Sequence, residues 1–168
     1  MSNVAIVLLR DLGDLDHQNQ NQNRQVFLVR NKRYNSKCKD CIRKKEACSA
    51  HLLYGNPAGE LEKHETFMDA AKREFLEETQ CELPSLNDSM IYKEHDTILI
   101  IKYISSDESV VTEKIIDNDE IYDSKWVNVE DVMNLPLMGV CKKLYPKYIP
   151  IWKARGATRT PLEQNSLI

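Results

Sequence analysis

Apolar residues in this chain gather into short runs, and a helical period stands out in one place. Val4–Arg10 and Gln25–Arg30 are β-rich runs separated by the polar stretch Asp11–Arg24. Its repeated Gln-Asn units, Gln18 to Asn23, offer nothing that packs, so the pattern predicts a strand pair with a loose connection. Leu52–Asn56 reads as a short strand that turns at Pro57. Met90–Tyr92 and Thr97–Ile104 follow, the second with the near-continuous run Ile98-Leu99-Ile100-Ile101 of a strand buried on both faces. Glu120–Val127, containing Trp126, reads as another strand, while Val129–Leu135 and Gly139–Tyr145 read as short helices and the segment after Arg155 as a loose polar tail. Between Thr66 and Thr79 the period changes. That stretch lacks Pro and Gly, repeats Phe67, Ala71 and Phe75 every four residues, and begins on a Thr suited to capping. Strands dominate, with one long helix in the middle, helices near the end and no internal repeat.

The middle helix carries an arrangement that opposes its own stability. With about 100° of rotation per residue, Glu74, Glu77 and Glu78 share an arc of about 100° beside the apolar stripe. Acidic groups are unfavourable in the last turns of a helix, and Glu74 and Glu78 repel at i, i+4; each penalty is about 0.2–0.5 kcal/mol. A solvated acidic face explains such a triplet plainly. A bound divalent cation would instead reverse the sign of both terms.

The residues around the triplet extend the pattern. Gly59, Glu65, Arg73, Glu74, Phe75, Glu77, Glu78 and Cys81 stand at the intervals of the Nudix box, and the stretch Gly59–Cys81 resembles that family's motif. Two positions depart from it. Gln80 stands where Gly is usual, so Gln must take the left-handed conformation at about 1 kcal/mol or the helix must end differently. Ala58 replaces the first Gly of the usual pair, giving Pro57-Ala58-Gly59.

The resemblance implies an α/β fold, a Nudix-like α/β/α sandwich with a mixed sheet. It further implies Mg²⁺ or Mn²⁺ held by Glu74, Glu77, Glu78 and the Ala58 carbonyl, with one carboxylate deprotonating an attacking water. Gly59, Glu65 and Arg73 then support the loop and helix, the last two as an ion pair. A carboxylate from outside the box is common in the family. Glu120, in Asp117-Asn118-Asp119-Glu120, is the candidate and Asp119 the second choice, against the plain reading of a solvated acidic turn. The expected reaction is hydrolysis of the diphosphate linkage of a nucleoside diphosphate joined to another moiety, of nucleotide-sugar or ADP-ribose type. Removal of an mRNA cap, with RNA as partner, is an alternative. A nucleotide-binding module without catalysis is another, against which the intact acidic cluster argues.

Composition narrows the setting. A chain of 168 residues suits one domain, expected over residues 1–156 with a polar tail over 157–168. A net charge of −3 gives no global attraction to nucleic acid. Basic residues nonetheless cluster, as Lys32, Arg33, Lys37, Lys39, Arg43, Lys44 and Lys45, and again as Lys142, Lys143, Lys147, Lys153, Arg155 and Arg159. Solvated loops or phosphate contacts both fit. The run Val4–Leu9 is too short for a membrane span and lacks the flanks of a signal peptide. With five cysteines, an odd number, the expectation is an intracellular, cytoplasmic protein with reduced thiols.

Cys38-x-x-Cys41 and Cys48-x-x-His51 have the ligand count and pair spacing of a structural Zn²⁺ site. Their six-residue spacer is shorter than in most zinc ribbons. A basic loop with ordinary reduced thiols, and a His51 belonging to the following strand, is the alternative. His17, His64 and His95 show no partner spacing.

Overall fold

A computed structural model of the chain describes residues 2–12, 24–105 and 111–154. The Gln/Asn-rich connection with His17, and the tail with Arg155 and Arg159, lie outside the described residues. Among the described residues, eight strands form one mixed sheet: β1 (Asn3–Asp11), β2 (Arg24–Lys32), β3 (Leu52–Gly55), β4 (Ala58–Glu60), β5 (Met90–Glu94), β6 (Thr97–Ile104), β7 (Lys114–Ile115) and β8 (Ile121–Asn128). Their main order is β5-β6-β1-β2-β8-β7, with β3 on β2 and β4 on β1. β1 runs parallel to β6 and antiparallel to β2.

The register explains where a site can form. β1 and β2 pair only where Leu9–Asp11 meets Arg24–Val26. Beyond that they part, β4 taking the edge of β1 at Asn3–Ala5 and β3 the edge of β2 at Val29–Lys32. Asn56 and Pro57 bridge the gap between the two.

Alternation along the central strands divides the core into two layers. Val4, Ile6, Leu8, Phe27, Val29 and Ile100 face one side, where α2 (Phe67–Thr79) buries Ala70, Ala71 and Phe75. Ala5, Val7, Leu9, Val26, Leu28 and Ile101 face the other, covered by α3 (Gly139–Lys153) through Cys141, Tyr145, Tyr148 and Trp152. This is the expected α/β/α sandwich with a mixed sheet. The strand Thr97–Ile104 is buried on both faces, as its continuous apolar run requires.

Several elements differ from the sequence reading. The helix expected to end at Tyr145 continues to Lys153, through Pro146 and Pro150. An interior Pro costs about 3 kcal/mol, partly through the lost bond to the carbonyl four residues back. Here the affected carbonyls belong to Lys142 and Pro146, both exposed residues whose surroundings supply water. Meanwhile 141, 145, 148 and 152 continue one buried stripe, and that burial outweighs the local penalty. The far end is held as well: Arg24 Nη1 donates to the carbonyls of Trp152, Lys153 and Ala154, and the Tyr103 hydroxyl donates to that of Ala154 at 2.8 Å. Residues Val129–Asn134 form a 3₁₀ turn, and a short helix α1 (Lys39–Lys44) appears inside the basic stretch. Among the described residues, no helix is long and apolar enough to cross a membrane.

Candidate functional site

α2 delivers the acidic cluster. Thr66 caps it by accepting from the Asp69 N–H at 3.1 Å. Its other end closes on Gln80, which adopts the left-handed conformation, φ 59°, and donates its N–H to the Leu76 carbonyl at 2.8 Å. Of the two endings open to Gln, the chain takes the costlier backbone. Lys114 Nζ donates to the Gln80 carbonyl at 3.2 Å and helps hold it.

Glu78 faces inward. It is 6% exposed, and its Oε2 accepts from the Ala58 N–H at 3.0 Å. The neighbouring ladder turns Ala58 this way, because Ile6 donates to the Pro57 carbonyl and Leu61 to the Ser2 carbonyl. In such a ladder, alternate residues bond to the partner strand, so both polar groups of Ala58 point away from β1 and toward α2. The Ala58 carbonyl therefore shares the Glu78 side.

Glu74 lies against Gly59. A Cβ on Gly59 would stand 2.0 Å from the Glu74 Cδ, so only Gly allows the carboxylate to lie there. Arg73 is the organiser. It forms a two-pronged bond with Glu65, at 2.9 Å through both Nε and Nη2, reaches Glu74 through Nη1 at 2.6 Å, and donates to the Glu60 carbonyl at 3.0 Å. Glu65 also accepts from the Glu62 N–H. The expected Glu65–Arg73 ion pair is thus formed, joining the loop to the helix. Glu77, with its side chain 60% exposed, stands at the open side.

Charge is unbalanced within this group. Burial, with Glu74, Glu120 and Glu77 adding repulsion, pushes the Glu78 carboxyl up to about 8, although the Ala58 N–H opposes the shift. Burial also raises Glu74, against the pull of Arg73. Glu65 moves the other way, to about 2, because Arg73 bonds its charged form. Glu120 approaches from another element, at the start of β8, and contributes to the shifts of both Glu74 and Glu78. Asn118 fixes its backbone by accepting from the N–H groups of Glu120 and Ile121, and the Glu120 carbonyl accepts from Lys32 N–H at 2.8 Å. Asp119 is exposed in the same turn.

The sequence offered no signal for a cavity of about 330 Å³ beside Ala58 and Gly59. Ala5 and Leu99 of the sheet, Asn56 and Ala58, and Tyr145 and Trp152 of α3 line it. Tyr145 donates to Asn56 Oδ1 at 2.8 Å. The buried donors Asn56 Nδ2 and Trp152 Nε1 have no acceptor among the described residues.

Other candidates lie elsewhere. Cys38, Cys41, Cys48 and His51 come together on the β2–β3 connection. His64 and His95 are exposed. Arg33, Lys37, Lys39, Arg43, Lys44 and Lys45 are exposed, while Lys32 pairs with Asp117 at 2.6 Å. In the second basic group Lys147 pairs with Glu94, and Lys153 with Glu130 at 3.0 Å.

The model of one protein family, described as the NUDIX domain, matches residues 18–148. Solved structures of similar shape include a Nudix hydrolase from M. Smegmatis, RenU, with TM-score 0.61 and 14% identity over 95% of this chain and 89% of that one. The NUDIX domain of Shewanella oneidensis NrtR complexed with ADP ribose gives TM-score 0.53 and 18% identity, covering 90% and 87%. A C. elegans Ap4A hydrolase binary complex gives 0.50 and 14%, covering 89% and 96%. At these identities the likeness is one of fold. Comparison with curated proteins finds no match.

Proposed function

Since the chain belongs to the NUDIX family, hydrolases of phosphoric anhydride bonds, we propose that it cleaves the diphosphate linkage of a nucleoside diphosphate joined to a second moiety, with Mg²⁺ or Mn²⁺. The observation that supports this most is that Glu78 and Glu74 lie against Ala58 and Gly59, on a helix whose exposed Glu77 and the neighbouring Glu120 add their charge to the same group. The donor set fits a hard divalent cation. It is all oxygen, it includes the outward Ala58 carbonyl, and it holds a buried carboxylate with no cation of its own. Glu74, Glu77, Glu78 and the Ala58 carbonyl would hold the ion, which when bound supplies charge to the phosphate oxygens and acidifies a water.

The chain's own residues divide the remaining work. Arg73 and Glu65 fix the approach of loop to helix, and Gly59 leaves room for Glu74. Glu78, pushed up to about 8 by burial in the absence of a cation, would give up its proton to hold the ion, which ties metal binding to pH. Glu120, exposed and anchored through its backbone, is the candidate to accept a proton from the attacking water at the open side. A cavity of about 330 Å³ is within the range that holds a small organic group, of about 300–1,000 Å³. Its apolar walls suit the flat face of a base. That a structural neighbour was solved with ADP ribose supports the same substrate class. A reducing, intracellular setting fits five thiols without a disulfide.

The test is phosphate or nucleotide release from a panel of ADP-ribose, nucleotide sugars, dinucleoside polyphosphates, nucleoside triphosphates and capped RNA, with Mg²⁺, Mn²⁺ or chelator. Metal-dependent cleavage of the first two classes is expected. Cleavage of capped RNA alone would transfer the reading to decapping, which the exposed basic residues of the β2–β3 connection favour and the net negative charge opposes. Binding of nucleotide with no turnover under any metal would leave a binding module.

A further inference from the structure

We propose that Cys38, Cys41, Cys48 and His51 hold one Zn²⁺ ion, a structural site that secures the β2–β3 connection to the sheet. It does not depend on the hydrolase reading. The backbone brings each pair of ligands onto one side. Cys38 precedes α1 and accepts from the Ile42 N–H at 3.0 Å, while a 3₁₀ turn closes the second pair through the His51 N–H and the Cys48 carbonyl at 2.8 Å. Between them Lys45, left-handed at φ 57°, ends α1 and reverses the chain. The four ligand atoms consequently lie within 4.8 Å of one another.

The spacing is that of ligands around a common centre. Cys38 Sγ and Cys48 Sγ are 3.8 Å apart. A disulfide needs about 2.05 Å. Two thiolates at tetrahedral angles, each about 2.3 Å from zinc, stand about 3.8 Å apart. The Cys48 N–H points at Cys41 Sγ from 3.4 Å, a bond of the kind that supports a metal-bound thiolate from outside the ligand shell.

Packing gives an independent reason. From residue 33 to 51 only Cys41 and Cys48 are buried, while Tyr34 is 51% exposed and Ile42 50% exposed. Sulfur takes the place of an apolar core in this segment. Units with so little buried hydrocarbon need a disulfide or a metal to stay ordered, and all five cysteines are free. Thiolate and imidazole ligands select zinc over the hard cations suited to the glutamates, and four protein ligands leave no open position, which marks a structural rather than a catalytic ion. The segment's base also touches the candidate active site. Arg33 donates to the His51 carbonyl at 3.0 Å, and the adjacent Lys32 donates to the carbonyl of Glu120. Order imposed at the four ligands therefore extends to the backbone that carries Glu120 and to β3, which leads into Ala58–Gly59.

Metal analysis of full-length protein, expressed with zinc in the medium and purified in reductant without chelator, tests the site. About one zinc per chain is expected, falling below about a tenth in Cys41→Ser and in Cys48→Ser and unchanged in Cys81→Ala. Because a serine variant can fail to fold, wild-type protein is also exchanged with Co²⁺. Strong visible absorption of tetrahedral, thiolate-bound cobalt should appear and be displaced by Zn²⁺. Zinc below about a tenth per chain in the wild type together with no cobalt band would overturn the proposal. So would zinc retained in both serine variants, or a Cys38–Cys48 disulfide recovered from cells whose thiols were trapped at lysis.

Discussion

Replacing Glu78 by Gln should make the metal-free protein more stable, and increasingly so as the pH rises. Gln keeps the shape and the acceptor for the Ala58 N–H, and it removes the group that resists ionisation. In the fold that carboxyl is pushed from its ordinary 4.5 up to about 8, mainly by burial. The unfolded chain releases the proton near its ordinary value, so between the two values the folded state binds one proton more. Stability from the protonated group is thus fully present below the ordinary value and is lost as pH rises through about 8. At about 1.4 kcal/mol per unit, the full span amounts to about 4–5 kcal/mol. Side-chain relaxation and entering water reduce this, and we expect about 2 kcal/mol, or about 5 °C in Tm for a chain of this size. Melts followed by circular dichroism in chelator should coincide for the two proteins near about pH 5 and separate toward about pH 8.5, with the variant higher. Excess Mg²⁺ or Mn²⁺ should reverse the order, since a ligand at about a hundred times its Kd adds about 2.7 kcal/mol to the protein that binds it. The reasoning fails if wild-type Tm without metal is flat or rising over that range, or if the variant melts below wild type at the alkaline end.

Three further outcomes follow from the same geometry. Gly59→Ala puts a methyl group into the Glu74 carboxylate, which can swing away, so melting should change by only a few degrees while metal-dependent turnover falls about a hundredfold; wild-type turnover would contradict the need for that close approach. Glu120→Gln should lower turnover at least about tenfold and Asp119→Asn should not, since only Glu120 is tied to the shifts of Glu74 and Glu78; equal effects in steady-state assays would return the turn to solvent. Gln80→Gly should stabilise by about 0.5–1 kcal/mol in urea unfolding by relieving the left-handed backbone, and a loss of stability would show that the Gln side chain contributes more than its conformation costs.

What could be read in the sequence was local. α2 and its Thr66 cap depend on residues close in the chain, so periodicity was enough to anticipate them, whereas the Glu65–Arg73 pair followed from the family resemblance. α3 beyond Tyr145 could not be read, because two prolines argue against a helix that only tertiary burial of Tyr148 and Trp152 sustains. β4 left no trace either: three residues show no alternation, and the strand exists because β1 and β2 part. The cavity is further still from legibility, since its walls come from β1, β4, β6 and α3. The cysteine pairs showed their spacing in the sequence. Their approach to one another needed the reversal at Lys45, a left-handed residue that nothing in its identity announces.

The parallel pairing of β1 with β6, Asn3 against Thr97 through Arg10 against Ile104, bears on how the chain is made. β1 leaves the ribosome before β6, with Val4–Leu9 apolar on both faces, and this longest partner is synthesised only after the whole of α2. At translation rates of about 5–20 residues per second that interval lasts about 5–20 seconds. Throughout it, an unpaired hydrophobic strand has only short pairings with β2 and β4 to shield it, and non-local pairing of this kind is slow to form even in the complete chain. Nascent chains stalled before β6 should therefore bind chaperones or aggregate. Fusing the β5–β6 hairpin ahead of β1 in a circular permutant should relieve that dependence without altering a single residue near the glutamates.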